Sequence, residues 1–465
     1  MDLAYAYAFG AYLTIIGFIT YSFYKKETTE QGFMLGNRSV NYIATAVAAH
    51  SSDMSIWLFT GLPGVIYLTG MSQAWIHIGL IIGMYCSWTF VAEKLRTATE
   101  NYKSVTLSEY FEHRFDDASG SLRLVSTIFL ILFFIFYISS ALVGMGMMFE
   151  SVFGINYHIG VAIGLCTAVL YTFVGGFAGV AWCDLFQGAF LVTMIVFVPL
   201  YAYNTLSGGW TAISTMAQLK NISLSLIPNT GKELLQSLLL ALGWGLGYFG
   251  QPHILINFMG IKDPKEITKA RTVGMLWQFL TLGASLLIGL IGIAFFANTL
   301  ANPELVFVSM VQQLFTPFFA GFILCAIIAA GLTTIDTQIL VVASTFAKDI
   351  YKQYLHPTAS SREILWVSRA GIIAIPLLSF GIAFTKSSSV YGLVNFAWSG
   401  LGSTFGPVVL TSLYSTRVTK HAALVGMLTG GATAALWPFS GSTVPAMIPG
   451  FFINLGIILL GSRKK

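Results

Sequence analysis

The chain has 465 residues, of which 56% are hydrophobic and only 9% charged. Soluble domains carry about 25% charged residues, so an ordinary soluble enzyme, a secreted disulfide scaffold and a nucleic-acid binder are all excluded. The net charge of +5 records topology, not an acidic partner, because the basic residues are distributed unevenly between the spans.

Charge-free runs at 151–183, 272–303 and 421–462 hold 33, 32 and 42 residues, and about 20 apolar residues cross a bilayer. The chain therefore reads as an all-α polytopic membrane protein. Apolar stretches predict thirteen spans, at 3–24, 41–69, 73–93, 122–148, 157–178, 181–203, 233–258, 272–298, 317–347, 364–385, 388–413, 421–437 and 444–462. No basic residue precedes the first span and Lys25–Lys26 follow it. That is the reverse of a cleaved signal peptide, so the span is expected to be retained with its N-terminus outside. On this alternation 21 of the 24 basic residues fall in cytoplasmic segments, all but Lys220, Lys232 and Lys386, as the positive-inside rule requires. The C-terminus is then cytoplasmic and the expected location is the cell (inner) membrane. Cys86, Cys166, Cys183 and Cys325 lie inside apolar segments without metal-type spacing and read as small hydrophobes. No GxxxxGK[ST] occurs, so ATP is not indicated as an energy source. A secondary transporter or a channel remains, and the clustering of polar groups at mid-membrane favours the transporter.

Setting aside the terminal residues of the spans, the intramembrane acids are Asp53, Asp184 and Asp336. An intramembrane carboxylate is a functional-site hypothesis by default. In span 2, the polar run His50-Ser51-Ser52-Asp53-Met54-Ser55 is followed by Gly61-Leu62-Pro63-Gly64. Ser and Asp compete for backbone hydrogen bonds and Gly and Pro weaken the helix, so a break is expected. A kink with Asp53 capping the second half-helix fits the same residues. Span 7 holds four glycines and a proline between Gly243 and Pro252. Either the helix is broken again or the glycines serve tight helix packing. Two interrupted helices at corresponding positions of two repeats mark a transporter's binding site, and spans 2–6 and 7–11 form two such blocks of five. In span 9, Ala330, Thr333, Thr334 and Thr337 share one face, with Asp336 at its edge. Hydroxyls with a carboxylate are hard-oxygen chemistry suited to Na⁺; threonines bonded back to the preceding turn are the alternative.

Four stretches carry a family resemblance: Ser52-Asp53-Met54-Ser55 through Gly64, Tyr171-Thr172-Phe173-Val174-Gly175-Gly176-Phe177 through Asp184 and Gln187, Gly243 through His253, and Thr333–Gln338 with Lys348-Asp349-Ile350-Tyr351. Together they resemble the sodium:solute symporter family, and within it the proline-carrying branch, over nearly the whole chain. Asp336 departs from that branch, where small polar residues are usual, and so does Gln73, where an acid is common. The resemblance implies a LeuT-like five-plus-five inverted repeat core with one extra N-terminal and two extra C-terminal helices. It would be a single membrane transporter domain over 1–465: an extra helix and loop at 1–40, repeats at 41–203 and 233–413, and two closing helices at 414–465.

The resemblance also implies residue roles. Sodium would be held by Ser51, Met54, Ala330, Thr333 and Thr334, with Asp53 important for coupling. A second sodium would lie at Asp184, Asp336 and Thr337, with Thr333 nearby. The solute, L-proline in the favoured reading, would meet Ser55, Trp57, Gly61, Tyr137, Trp244, Tyr248 and Pro252. The expected partners are that solute, Na⁺ as the sole metal and the lipid bilayer, with no cofactor, no nucleic acid and no enzymatic activity. The alternatives are sodium symport of another amino acid, pantothenate, sialic acid or a sugar, and a transporter-like membrane sensor.

Overall fold

The computed structural model describes residues 3–23, 29–386 and 389–462. Lys25, Lys26 and Arg463–Lys465 of the charge pattern lie outside them, as do the side chains of Tyr171 and Val174 in the glycine-pair motif. Helix α1 (Leu3–Phe23) and the short α2 (Glu30–Leu35) precede α3 (Tyr42–Met54) and α4 (Gly61–Thr69). Then come α5 (Ala74–Ser87), α6 (Glu93–Asn101), α7 (Leu107–Arg114), α8 (Ser121–Phe153), α9 (Tyr157–Thr205) and α10 (Gly209–Leu219). The second half holds α11 (Gly231–Gly245), α12 (Pro252–Gly260), α13 (Ile267–Phe295), α14 (Val306–Leu314), α15 (Pro317–Thr345), α16 (Ser361–Ala383), α17 (Val390–Tyr414), α18 (Lys420–Leu436) and α19 (Met447–Leu460). Among the described residues the sole β-pairing is an isolated bridge between Val40 and Ile261.

The helix starts follow local chemistry. Thr106, Thr230 and Ser360 each accept a hydrogen bond from the N–H of a glutamate three residues on, Glu109, Glu233 and Glu363, the sequence signature of a capping box. Helix α15 needs no polar face. Every residue from Ile323 to Thr345 is buried, so a helix apolar nearly all round becomes the central post. Outer helices instead expose apolar stripes, such as Leu276 and Phe279 on α13 and Leu377 and Leu378 on α16. These stripes face lipid in a membrane protein.

Eight described segments are long and apolar enough to cross a membrane. Shorter apolar helices occur at Leu3–Ile19, Tyr157–Leu170 and Met447–Leu460. Helix α9 is the informative case. Its 49 residues would reach about 73 Å as a straight helix, more than twice the hydrocarbon core. Its packing partners change along its length. Tyr157 donates to Ala383 O at the end of α16, while the Phe173 ring lies under Arg369 near the start of α16. Further on, Phe190 packs on Phe322, and Phe197 and Tyr201 pack on Phe315 at the head of α15. The first part of the segment thus packs along α16 and its last part against the head of α15.

Two of the three exceptions to the charge pattern are engaged. Lys220 donates to the carbonyls of Ile293 and Phe296 at the end of α13, and Lys386 pairs with Glu150 at 2.7 Å.

Candidate functional site at two interrupted helices

Both expected breaks are present. Helix α3 stops at Met54, and Ser55 takes φ 50°, in the left-handed region that non-glycine residues rarely adopt. One tight turn over Ile56–Leu58 follows before α4 begins at Gly61. The other interruption lies between α11 and α12: a tight turn over Leu246–Phe249, extended backbone at Gln251, and Pro252 as the first residue of α12. Side chains take up carbonyls that the breaks release, as buried polar backbone demands. Ser285 donates to Leu58 O, Ser87 to Tyr248 O, and the Trp398 indole to Trp244 O at 3.0 Å.

The glycines of span 7 serve both purposes that the sequence left open. A Cβ on Gly245 would lie 2.7 Å from Gly79 O, and one on Gly247 would lie 2.0 Å from the Trp398 indole nitrogen. Tight packing and the break therefore share the same residues.

Asp53 does not cap the second half-helix. Its carboxylate accepts from the Tyr248 hydroxyl at 2.6 Å, and its carbonyl accepts from the Tyr137 hydroxyl at 3.1 Å. Gln278 of α13 donates in turn to the Tyr248 oxygen at 3.0 Å. A carboxylate on α3 is thereby tied to the break between α11 and α12, a charge-assisted bond at full burial.

On the N-terminal side of Asp53, the oxygens of α3 and α15 converge. Thr333 Oγ1 lies 3.1 Å from Ser51 O and 3.2 Å from Ala330 O, and Thr334 Oγ1 lies 3.4 and 3.1 Å from the same two carbonyls. Two hydroxyls bring two protons to a cluster whose oxygens have more lone pairs than that. The surplus is acceptor capacity directed at a small, hard cation. Back-bonding of the threonines, the bland reading, is real here, but it accounts for only half of these contacts. Ser51, Ala330, Thr333 and Thr334 are thus brought together, while the Asp53 side chain is engaged elsewhere and Met54 is fully buried at the end of α3.

The aromatic residues form a wall. Trp57 stacks on Trp244 with centroids 5.0 Å apart and planes 14° apart, and Tyr391 lies 5.8 Å from Trp244. Beyond them opens a cavity of about 690 Å³ lined by Gly61, Val143, Glu150, Glu304, Lys386 and Tyr391. Ser55 Oγ, Trp57 Nε1, Gln251 Oε1 and both His253 ring nitrogens are buried without hydrogen-bond partners among the described residues. His253 packs edge-on to Tyr137 at 5.5 Å. Buried polar atoms without partners call for an explanation, and these five surround the two breaks.

A second oxygen cluster lies where α9 and α15 meet. Asp336 is 0% and Asp184 1% exposed. Asp336 Oδ1 accepts from the Thr337 N–H at 2.6 Å. Asp336 Oδ2 and both oxygens of Asp184 have no hydrogen-bond partner among the described residues, although the two carboxylates and Thr337 lie within electrostatic reach of each other. Asp184 lies inside α9 and caps no helix end, and Asp336 is buried within α15.

Sequence reasoning missed Gln278, Trp398, Tyr391 and His253. Gln278 was findable as a polar residue inside an apolar run, the signal used for the acids. Tyr391 and Trp398 sit in ordinary aromatic stretches, and only their neighbours across the break mark them.

Comparisons with known proteins bear on this geometry. The model of the sodium:solute symporter family matches residues 33–430. The high-affinity proline transporter PutP of Bacillus subtilis is 39% identical over 443 residues, covering 94% of this chain and 93% of that protein. The sodium/proline symporter of Escherichia coli is 38% identical, covering 99% and 92%. Among solved structures, a Na⁺-coupled sialic acid symporter in a substrate-bound outward-open state superposes with a TM-score of 0.83 at 19% identity, over 99% of this chain and 97% of that one. With two broken helices, an oxygen cluster between the first of them and α15, and a family match across most of its length, the chain belongs to the sodium:solute symporter family.

Proposed function

We propose that this protein is a sodium-coupled secondary symporter that imports L-proline by alternating access, in a multi-pass arrangement in the cell membrane. The observation that carries it is the convergence of Ser51 O, Ala330 O, Thr333 Oγ1 and Thr334 Oγ1 beside the break that also bears Ser55 and Trp57. Ion and solute sites that share one interrupted helix give each ligand a reason to favour the same conformation. That is the thermodynamic content of coupling. Each Na⁺ moved down an inside-negative potential of 100 mV supplies about 2.3 kcal/mol.

Proline is favoured by the relatives called proline transporters and by the chemistry of the wall. Indole faces suit a pyrrolidine ring, and the unwound backbone at both breaks supplies partners for a carboxylate and an amine. Gly61, Tyr137, Tyr248 and Pro252 complete the expected pocket. The Trp57–Trp244 stack and Tyr391 then stand between the outer cavity and that pocket, so solute arriving from outside must displace them.

The thirteen-span arrangement fits the same reading. Eight long apolar segments, one of which runs from Ile56 to Asn101 and includes α4, three shorter ones and the two broken helices support it, with repeats at 41–203 and 233–413, an external N-terminus and a cytoplasmic C-terminus. Asp184, Asp336 and Thr337 are read as a second cation site, because two carboxylates close together at low dielectric repel unless a cation or a proton lies between them.

The test is uptake of labelled proline into proteoliposomes with an imposed Na⁺ gradient. Uptake that collapses when choline replaces Na⁺ is the expected result, and uptake indifferent to the exchange overturns the coupling. Strong Na⁺-driven uptake of another amino acid or of a sugar, with none of proline, overturns the substrate alone.

A further inference from the structure

Helix α1 lies outside the two proposed repeats, yet it reaches the Asp184–Asp336 cluster. Tyr12, 1% exposed, packs on Phe190 at 5.5 Å and lies within electrostatic reach of Asp336, Cys183 and Cys325. Its hydroxyl oxygen accepts a hydrogen bond from Gln187 Nε2 at 3.3 Å. Gln187 is fully buried. It follows Asp184 by three residues on α9 and so shares its helix face. With its amide nitrogen committed to Tyr12, its Oε1 is left without a partner among the described residues, as are both Asp184 oxygens and Asp336 Oδ2. Four buried oxygens in one neighbourhood, three of them on carboxylates, lack donors.

We propose that Gln187 Oε1 is a further oxygen ligand of the cation held by Asp184 and Asp336, and that Tyr12 of α1 positions it. This rests on reading that pair as a cation site. The chemistry favours an amide over another acid. Two carboxylates already exceed the charge of one Na⁺, and a neutral carbonyl oxygen raises the coordination number without adding negative charge, which would shift preference towards divalent cations. Tyr12 acts through Gln187: by accepting from the amide nitrogen it fixes which end of the side chain faces the carboxylates. The extra helix thereby becomes a wall of the ion site instead of an appendage to the core.

The experiment uses the full-length protein in proteoliposomes and in detergent, with the charge-to-solute ratio from reversal potentials, the half-saturating Na⁺ concentration, and the Na⁺-dependent rise in melting temperature as readouts. The cation reading alone expects a ratio of two that falls to one in Asp184→Asn. Beyond that, Gln187→Leu should raise the half-saturating Na⁺ roughly tenfold and Tyr12→Phe by roughly threefold, with proline affinity at saturating Na⁺ unchanged. The double variant should be no worse than Gln187→Leu alone, because Tyr12 acts only through the amide. Gln187→Glu should gain stabilisation by Ca²⁺ that the unmodified protein lacks. Should Gln187→Leu fail to fold, Tyr12→Phe and Gln187→Glu carry the same test. A ratio that falls in Asp184→Asn while Gln187→Leu and Tyr12→Phe leave Na⁺ dependence unmoved overturns the assignment of Gln187 and spares the cation reading. An additive double variant removes Tyr12 from the positioning role. A ratio of one that Asp184→Asn does not change overturns the site and Gln187 with it.

Discussion

The molecule buries charge in two contrasting ways. At the end of the structure where α7, the start of α8 and the chain beyond α15 meet, Arg123 pairs with Glu112 and Asp349 at 2.7 Å each and with Glu109 at 3.7 Å. Lys348 pairs with Glu109 at 3.0 Å, Thr106 donates to Asp349, and the Val105 N–H donates to Glu109. Burial would raise the Glu109 carboxyl, but Lys348, the Val105 N–H and Arg123 together hold it below the ordinary glutamate range. Within the apolar helices and at their breaks, by contrast, Asp184, Asp336, Ser55, Trp57 and Gln251 keep buried atoms without partners among the described residues. An ion cluster with its partners supplied by the chain itself is a tie between helices. A polar cluster left short of partners is a place for something the chain does not contain.

The largest expected effect tests the first half of that contrast. Arg123→Met leaves three carboxylates facing one another with a single lysine between them, and removing one partner of a buried ion pair costs about 3–5 kcal/mol. Thermal unfolding in detergent should show a large fall in melting temperature. The fraction that remains folded should keep its half-saturating Na⁺ concentration; if that concentration moved as much as the melting point, the cluster would belong to the ion site and the contrast would dissolve.

The second half is tested at α15. Thr333→Ala and Thr334→Ala should each raise the half-saturating Na⁺ by roughly tenfold, the equivalent of about 1.4 kcal/mol, with little change in thermal stability in the absence of Na⁺. The serine variants keep the oxygen and should stay near the parent value. Equal losses with alanine and serine would assign the threonines to methyl packing.

Trp244→Ala sharpens the comparison at the wall. Aromatic stacking contributes about 0.5–1.5 kcal/mol beyond area burial, so proline binding measured by isothermal titration should weaken by roughly three- to tenfold. Unchanged affinity in a folded variant removes Trp244 from the pocket.

The smallest effect lies outside the membrane. Asp117 accepts hydrogen bonds from the Leu122 N–H and from Ser119 and Ser121 at the start of α8. Burial opposes its ionisation, but these donors hold the carboxyl down at about 2. A carboxyl lowered on folding stabilises the folded state above its unfolded value of about 3.9, and the contribution is lost as pH falls towards 2. Asp117→Asn should therefore cost about 1 kcal/mol at neutral pH, as loss of a helix cap does, and should flatten the pH dependence of melting between about 4 and 2.

Much of the architecture was legible residue by residue. Ser-rich and Gly/Pro-rich runs inside apolar spans announced both breaks, because helix propensity is local and four glycines with a proline lower it wherever the segment lies. The first break came a few residues later than the polar run suggested, at Ser55–Thr60, since the serines before it remain helical against α15. Periodicity likewise placed Thr333 and Thr334 on one face. It could not say that Asp53 would bond to Tyr248, or that Tyr391 would sit over Gly61.

What the sequence determined by itself is the membrane class, the order of the apolar segments, the places where helices must fail, and the residues whose chemistry is out of place in lipid. All of these follow from composition and from interactions within a few residues along the chain. What only the tertiary structure decided is partnership: which hydroxyls meet Ser51 O, which carboxylates acquire cations and which are left with bare oxygens, and that α1 places Tyr12 against Gln187. Hydrogen bonds and ion pairs act over about 3 Å, and residues 175 positions apart, as Tyr12 and Gln187 are, come within that range only when the helices have packed.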